Sequence, residues 1–457
     1  MNGTSQIGKL FLTLALTLLL AGLTFGVLAS FVYINPNFLK DTLGFVALRP
    51  LHVSLVTFWI IIGANGGVMS ALQILYPDKL SNKLATTQLL LWLIAIVGVM
   101  SSYCHKDFGG REYWEFNPIW ALPIALAWVL YLVNFFRVIK TAEKWPVYVW
   151  MWMSGGLFFM FTFLENYLWV FPYFREHFVT DMTIQWKVNG SLVGSWNQLL
   201  YGTAFFIMDK ISGDNKVGYS KLAFGMYFLG LFNLMFNWGH HIYTLPTESY
   251  IRYIGYGVSM TEWIFFARIL FSWKQSVSDI KKHYHYFPYR FIMASDFWVF
   301  ANMGQAIIMS IPALNLYTHG THITVAHAMG TTIGINTMIL LAACFVFLKS
   351  DCITYNKPTR LLNTTFWLMQ GSLLLFWLAL NIAGIKKGIW QNSAHQIEYH
   401  QLMKQQIPYF TLFSIAGIIL LITLFITGGV LLYHLVRCTN KSIKNQPVFT
   451  AQKSTTI

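Results

Sequence analysis

The chain has 457 residues, 56% of them hydrophobic and only 11% charged, and a mean hydropathy of +0.52. Its 31 Lys and Arg and 17 Asp and Glu are too few to coat a globular protein of this length, which excludes a water-soluble enzyme, a disulfide-rich secreted scaffold and a disordered tail. The net charge of +14 is spread through short loops without interleaved exposed aromatics, so no nucleic-acid partner is expected and membrane lipid is the solvent.

In chain order, twelve apolar segments approach the roughly 20 residues needed to cross a hydrocarbon core of about 30 Å. They cover 10–34, 51–76, 86–104, 118–138, 146–172, 188–208, 222–245, 250–272, 291–314, 322–348, 362–385 and 409–436. The fold class is therefore all-α: a polytopic bundle of about twelve transmembrane helices. The first segment exceeds a signal-peptide core and lacks a small-residue cleavage site, so it is expected to be retained. With the N-terminus inside, 20 of the 31 basic residues fall on the inner side and ten on the outer, while Arg268 lies within the eighth segment. That bias predicts two cytoplasmic termini. No repeat or linker divides the chain, so 1–457 is expected to be one transmembrane catalytic domain, with 438–457 a cytoplasmic tail. Cys104, Cys344, Cys352 and Cys438 form no CxxC pair and no CxxCH motif, which removes a thiolate metal site and covalent haem c.

Polar side chains inside spans are costly and mark function. His52 opens the second segment, His240 and His241 lie near the outer end of the seventh, and His327 lies in the tenth; Glu165 and Glu262 are the intramembrane acids. A lone transmembrane histidine is usually a packed group. Four on three helices favour ligation, since neutral imidazole suits haem iron, non-haem iron and copper alike. At 100° per residue, His327 and Met329 leave opposite faces of one helix, an arrangement in which one helix serves two haems. Spacing alone leaves Met329 as ligand or core filler, and leaves His322, on nearly the same face two turns outward, as a substitute. Glu165 has two open readings: a proton carrier, or a hydrated acid near the outer surface.

Five stretches carry a resemblance: Arg49-Pro50-Leu51-His52, Gly110-Arg111-Glu112-Tyr113-Trp114-Glu115, Trp238-Gly239-His240-His241, Ser259-Met260-Thr261-Glu262, and Tyr317-Thr318-His319-Gly320-Thr321 leading to Ala326-His327. In order and over nearly the whole chain, they resemble the catalytic large subunit of bacterial nitric oxide reductase, in the haem-copper oxidase superfamily. The resemblance implies two haems b, low-spin and high-spin, with His52 an axial ligand of the first and His327 the proximal ligand of the second. It implies a non-haem iron on His240 and His241, with Glu262 beside it as ligand or proton carrier. Glu112 and Glu115 match acidic positions near a calcium ion, although a solvated mixed-charge loop describes them almost as well.

The chain also departs from that family. Counting back from Lys210-Ile211-Ser212-Gly213 puts Asn189 at the third iron-binding histidine, Val193 at the neighbouring glutamate and Asn197 at a further one, while Met329 replaces a histidine on the low-spin haem. An amide oxygen is a weaker ligand than imidazole and leaves the iron more Lewis acidic. Histidine–methionine ligation raises the haem potential and asks for a higher-potential donor.

The implied reaction joins two NO molecules, two electrons and two protons into N2O and water in the bacterial inner membrane. Electrons are expected from a cytochrome c subunit or a soluble periplasmic donor. Its rivals are an NO dismutase or O2 reductase of the same superfamily, and a non-catalytic haem-based NO-binding subunit.

Overall fold

The computed structural model describes residues 6–258, 263–349, 359–394 and 396–444. Its helices are α1 (Ile7–Phe31), α2 (Gly44–Leu75), α3 (Asn82–Cys104), α4 (Ala121–Ile139), α5 (Val147–Glu165), α6 (Pro172–Arg175), α7 (Phe178–Ser212), α8 (Lys221–Phe236), α9 (Ser249–Val258), α10 (Trp263–Ser276), α11 (Asp279–Tyr284), α12 (Tyr286–Ser310), α13 (Pro312–Thr318), α14 (His322–Met329), α15 (Met338–Lys349), α16 (Arg360–Gln391) and α17 (Tyr399–Lys444). Between α3 and α4 the chain forms a short antiparallel hairpin, β1 (Phe108–Arg111) and β2 (Trp114–Phe116). A 3₁₀ segment, Asn237–Ile242, follows α8, and a π-helical segment, Gly330–Thr337, joins α14 to α15.

Local chemistry sets several ends. Ser81, Thr321 and Thr359 accept hydrogen bonds from Leu84, Ile323 and Leu362 N–H groups, capping α3, α14 and α16. Gly213, left-handed at φ 67°, closes α7. Helix α2 begins seven residues before the expected span and continues through Pro50, so Arg49 and His52 share one helix.

Ten helices among the described residues are long and apolar enough to cross a membrane. The other two of the expected twelve differ for physical reasons. Segment 188–208 lies inside α7, a 35-residue helix whose Lys187, Asn189, Ser191, Ser195, Asn197 and Gln198 lower its hydropathy. Segment 250–272 is shared between α9 and α10. The chain is a multi-pass membrane protein. Its outward faces are apolar, as with Val97, Leu122 and Phe161, because lipid offers no hydrogen bonds to anything else.

Close helix approach rests on small residues. Along α1 and α2, a Cβ on Gly8 would stand 2.3 Å from the Ser70 hydroxyl, and one on Gly66 would stand 3.0 Å from the Gly8 carbonyl. The span His322–Leu348 has 89% of its most apolar window buried, the highest of the ten. The helix that carries His327 is thus the central one, flanked by α12, α16, α7 and α2.

Candidate functional site

His52 points its Nδ1 at the Gly22 carbonyl of α1, 2.7 Å away. A carbonyl only accepts, so Nδ1 carries the proton and Nε2 keeps its lone pair, the state in which an imidazole ligates metal. Gly26 gives the ring its space, since a Cβ there would lie 2.6 Å from Nδ1. The α1 backbone therefore both orients this imidazole and sets its tautomer.

His327 and Met329 look into different compartments. His327 lies within charge–charge range of His240 and His241, and its buried Nδ1 has no hydrogen-bond partner. Met329 packs against Ala326, Phe376, Ala379, Leu380, Phe413 and Ala416, with Tyr33 and Trp377 beside it. Tyr33 in turn meets Phe45, two turns before His52 on α2, so the Met329 side of the central helix is the His52 side of the bundle. His322 is boxed edge-on between Tyr33 and Phe410, with centroids 5.7 and 5.0 Å away, and its Nδ1 is also buried without a partner.

The His240 and His241 rings lie 4.3 Å apart at 34° on the Asn237–Ile242 segment. Winding does not bring them together, since consecutive side chains diverge by about 100° in an α-helix and about 120° in a 3₁₀ turn; the two side chains fold toward each other. Helix α7 lies directly against them. A Cβ on Gly190 would come 2.8 Å from the His241 ring, so glycine is what admits the imidazole. The preceding residue, Asn189, has a buried Oδ1 with no partner, and buried acceptors of that kind ordinarily have one. Two adjacent imidazoles and an unengaged amide oxygen suit a divalent transition metal. Among the described residues no group of three or more His, Cys, Asp or Glu converges on such a site. Glu262 lies outside the described residues.

Three residues around the pair escaped the sequence reading. Lys187, two positions before Asn189, bonds Glu165 of α5 at 2.6 Å and lies 5.8 Å from the Trp238 ring centroid. Glu165 is thus an ion-pair partner tied to the histidine segment, although the pairing spans 22 residues and has no local signature. Trp186 stacks on His319 with centroids 4.6 Å apart; burial lowers the pKa of His319 and favours its neutral form. Asn302 of α12 donates to the His327 carbonyl at 3.0 Å.

Glu112 and Glu115 flank the hairpin turn and meet one guanidinium. Arg49 Nη2 reaches Glu112 at 2.9 Å and Nη1 reaches Glu115 at 2.5 Å. Burial raises the Glu115 pKa, against the pull of Arg49. Arg111, next to Glu112 in the chain, pairs instead with Asp181 at 2.6 Å and covers Trp169. Phe45, Val46, Arg49, Pro50, Phe108, Gly110 and Glu115 line an open cleft of about 290 Å³ between α2 and the hairpin.

Comparison with known proteins finds relatives over most of the chain. The chain is 23% identical to a nitric oxide reductase subunit of Stutzerimonas stutzeri, over 92% of this chain and 93% of that one. It is 22% identical to cytochrome c oxidase subunit 1 of Rhodobacter capsulatus, over 89% and 79% of the two. The fold superposes on a heme-copper terminal oxidase dimer solved by cryo-EM with a TM-score of 0.72, at 14% identity, over 94% of this chain and 84% of that one. The family of Cytochrome C and Quinol oxidase polypeptide I matches residues 6–419. An all-α membrane bundle with buried histidines on its central helix, and a family match over most of its length, make this chain a divergent member of the Cytochrome C and Quinol oxidase polypeptide I family.

Proposed function

We propose that the protein is a membrane nitric oxide reductase-like oxidoreductase that converts NO to N2O. One observation carries the reading: the His240–His241 pair stands within charge range of His327, packed at Gly190 against the helix that holds Asn189. In this reading His327 holds a high-spin haem b, and His52 and Met329 hold a low-spin haem b. His240, His241 and Asn189 hold a non-haem iron. The two irons would supply electrons and Lewis acidity to paired NO molecules.

The chain's own residues do the rest. The Gly22 carbonyl fixes the His52 tautomer, and Gly190 sets the depth of His241. Glu262 carries protons toward the iron. Glu112 and Glu115, held by Arg49, offer their remaining oxygens to a calcium ion at the hairpin. The excess of basic residues on one side supports cytoplasmic termini in a bacterial inner membrane, an orientation that turns the hairpin toward the periplasm and a cytochrome c donor.

Purified protein given ¹⁵N-labelled NO and a reduced donor is expected to release N2O as its sole nitrogen product, with one non-haem iron per two haems. A second reading is favoured by the uncharged Asn189, Val193 and Asn197 of α7: NO dismutation or O2 reduction by the same centre. Labelled N2 with O2, or water formed from O2 without N2O, would establish it in place of the first. Haem without non-haem iron and without turnover would instead identify an NO-binding subunit.

A further inference from the structure

Helix α12 presents two carboxamides to successive turns of the central helix. Gln305 Nε2 donates to the Ile323 carbonyl at 3.1 Å and to Asn381 Oδ1 at 2.8 Å. One turn earlier on α12, Asn302 Nδ2 donates to the His327 carbonyl at 3.0 Å and to the Thr331 hydroxyl at 2.7 Å. Thr331 in turn donates to the same His327 carbonyl at 3.2 Å. Both protons of one amide and one hydroxyl proton thus close a ring on a single backbone oxygen, and Asn302 is 1% exposed.

That oxygen stands where the helix changes its winding. Residues 322–329 are α-helical and 330–337 are π-helical. At such a junction the main-chain ladder slips from i−4 to i−5, and the His327 carbonyl receives from the main chain of its own helix the Gly330 N–H, which it shares with the Ala326 carbonyl. The π stretch has support further along: the Thr337 hydroxyl donates five residues back to the Thr332 carbonyl and receives Trp59 Nε1 at 3.0 Å. Gly330 sits at the junction itself, where a Cβ would lie 2.3 Å from Asn302 Oδ1. The carboxamide occupies the place a side chain would take.

We infer that Asn302 is the positioning residue of the central helix: its carboxamide, seated on Gly330, holds the α-to-π junction and thereby sets the rotation of the His327 ring about the helix axis. Changing helical winding changes the angle between successive side chains. A junction that migrated by one residue would swing His327 relative to His240–His241 and Met329 relative to His52. The inference rests on the reading that His327 ligates a haem; what Asn302 does to the backbone is measurable without it.

The test compares the full-length protein in detergent with Asn302→Leu, which keeps the bulk and removes both donors, and with Gly330→Ala, which keeps the donors and displaces them. Asn302→Gln, with the same group on a longer arm, serves as the conservative control. Hydrogen–deuterium exchange is expected to rise in both disruptive variants within 327–337, with 360–391 of α16 unchanged, and to return toward the parent in Asn302→Gln. In haem-loaded protein, the iron–imidazole stretch of the ferrous high-spin haem is expected to shift at unchanged haem content, with turnover falling roughly tenfold, the scale expected when a group supporting a metal ligand is removed. Exchange unchanged in 327–337, or raised uniformly over the chain, would overturn the inference. Raised local exchange with an unshifted iron–imidazole band would also overturn it, leaving Asn302 a packing residue. Protein that binds no haem yet shows the local exchange change would sink the ligand reading and leave the junction role standing.

Discussion

Along α1 and α2, hydroxyl groups bond carbonyls of their own helix: Thr13 to Lys9, Thr24 to Leu20 and Ser70 to Gly66. Around α7, α8 and the central helix the pattern breaks. Buried oxygens of Asn189, Asn197, Gln198, Asn233 and Asn302, and Nδ1 of His327, have no partner. Both regions face the same solvent, in which an unmet polar group is expensive. The hydroxyls of the first pair of helices are met within their own turns; the second region holds several buried polar atoms that no protein group meets.

Four experiments set that contrast at risk. Replacing His240 or His241 by alanine is expected to abolish bound non-haem iron and NO turnover while the melting temperature stays within about 3 °C of the parent; retained iron by metal analysis would mean the pair is not the metal's anchor. Gly66→Val does the opposite. Forcing a side chain against the Gly8 carbonyl and Leu12, each 3.0 Å from the new Cβ, is expected to cost about 3 kcal/mol, while iron and haem per folded chain are unchanged in denaturant titrations followed by absorbance.

Glu165→Gln probes the border between the regions. It leaves Lys187 charged and mostly buried, with its side chain 27% exposed, at a cost of about 2 kcal/mol, between the values for surface and buried pairs. Adding Lys187→Met should recover most of that in a double-mutant cycle; no recovery would mean that the pair is not coupled. Smallest in stability is Met329→His, a near-isosteric change costing under roughly 1.5 kcal/mol. It is nevertheless expected to produce bis-histidine spectra and a lower potential for the low-spin haem. An unaltered spectrum would return Met329 to the apolar cluster with Phe376 and Phe413.

Much of this architecture was readable from the chain because lipid makes hydropathy and length decisive: ten of the expected spans reappear as sufficiently long, apolar helices. Segment 188–208 was harder, since the polar residues that place α7 against the histidines also weaken its apolar signal. The histidines themselves stood out because charge-capable groups are rare inside spans. Their supports did not. Arg49 reaches Glu112 and Glu115 across 63 and 66 residues, Lys187 reaches Glu165 across 22, and Asn302 reaches the His327 carbonyl across 25. Local propensity carries no trace of such contacts. The π winding after Met329 is equally silent, because the poor helix formers of Gly-Thr-Thr-Ile-Gly weaken an α-helix without specifying a π turn, and the close approach of the His240 and His241 rings leaves no signature in the chain.

The guanidinium of Arg49 has a mechanical consequence. It grips both acidic side chains of the hairpin and belongs to the helix that presents an imidazole three residues later, so the hairpin has little travel of its own. A protein pressing on that loop from outside would load α2 directly, a turn from the His52 ring. Docking at the hairpin and the geometry of the His52 ring would then be two ends of one short lever.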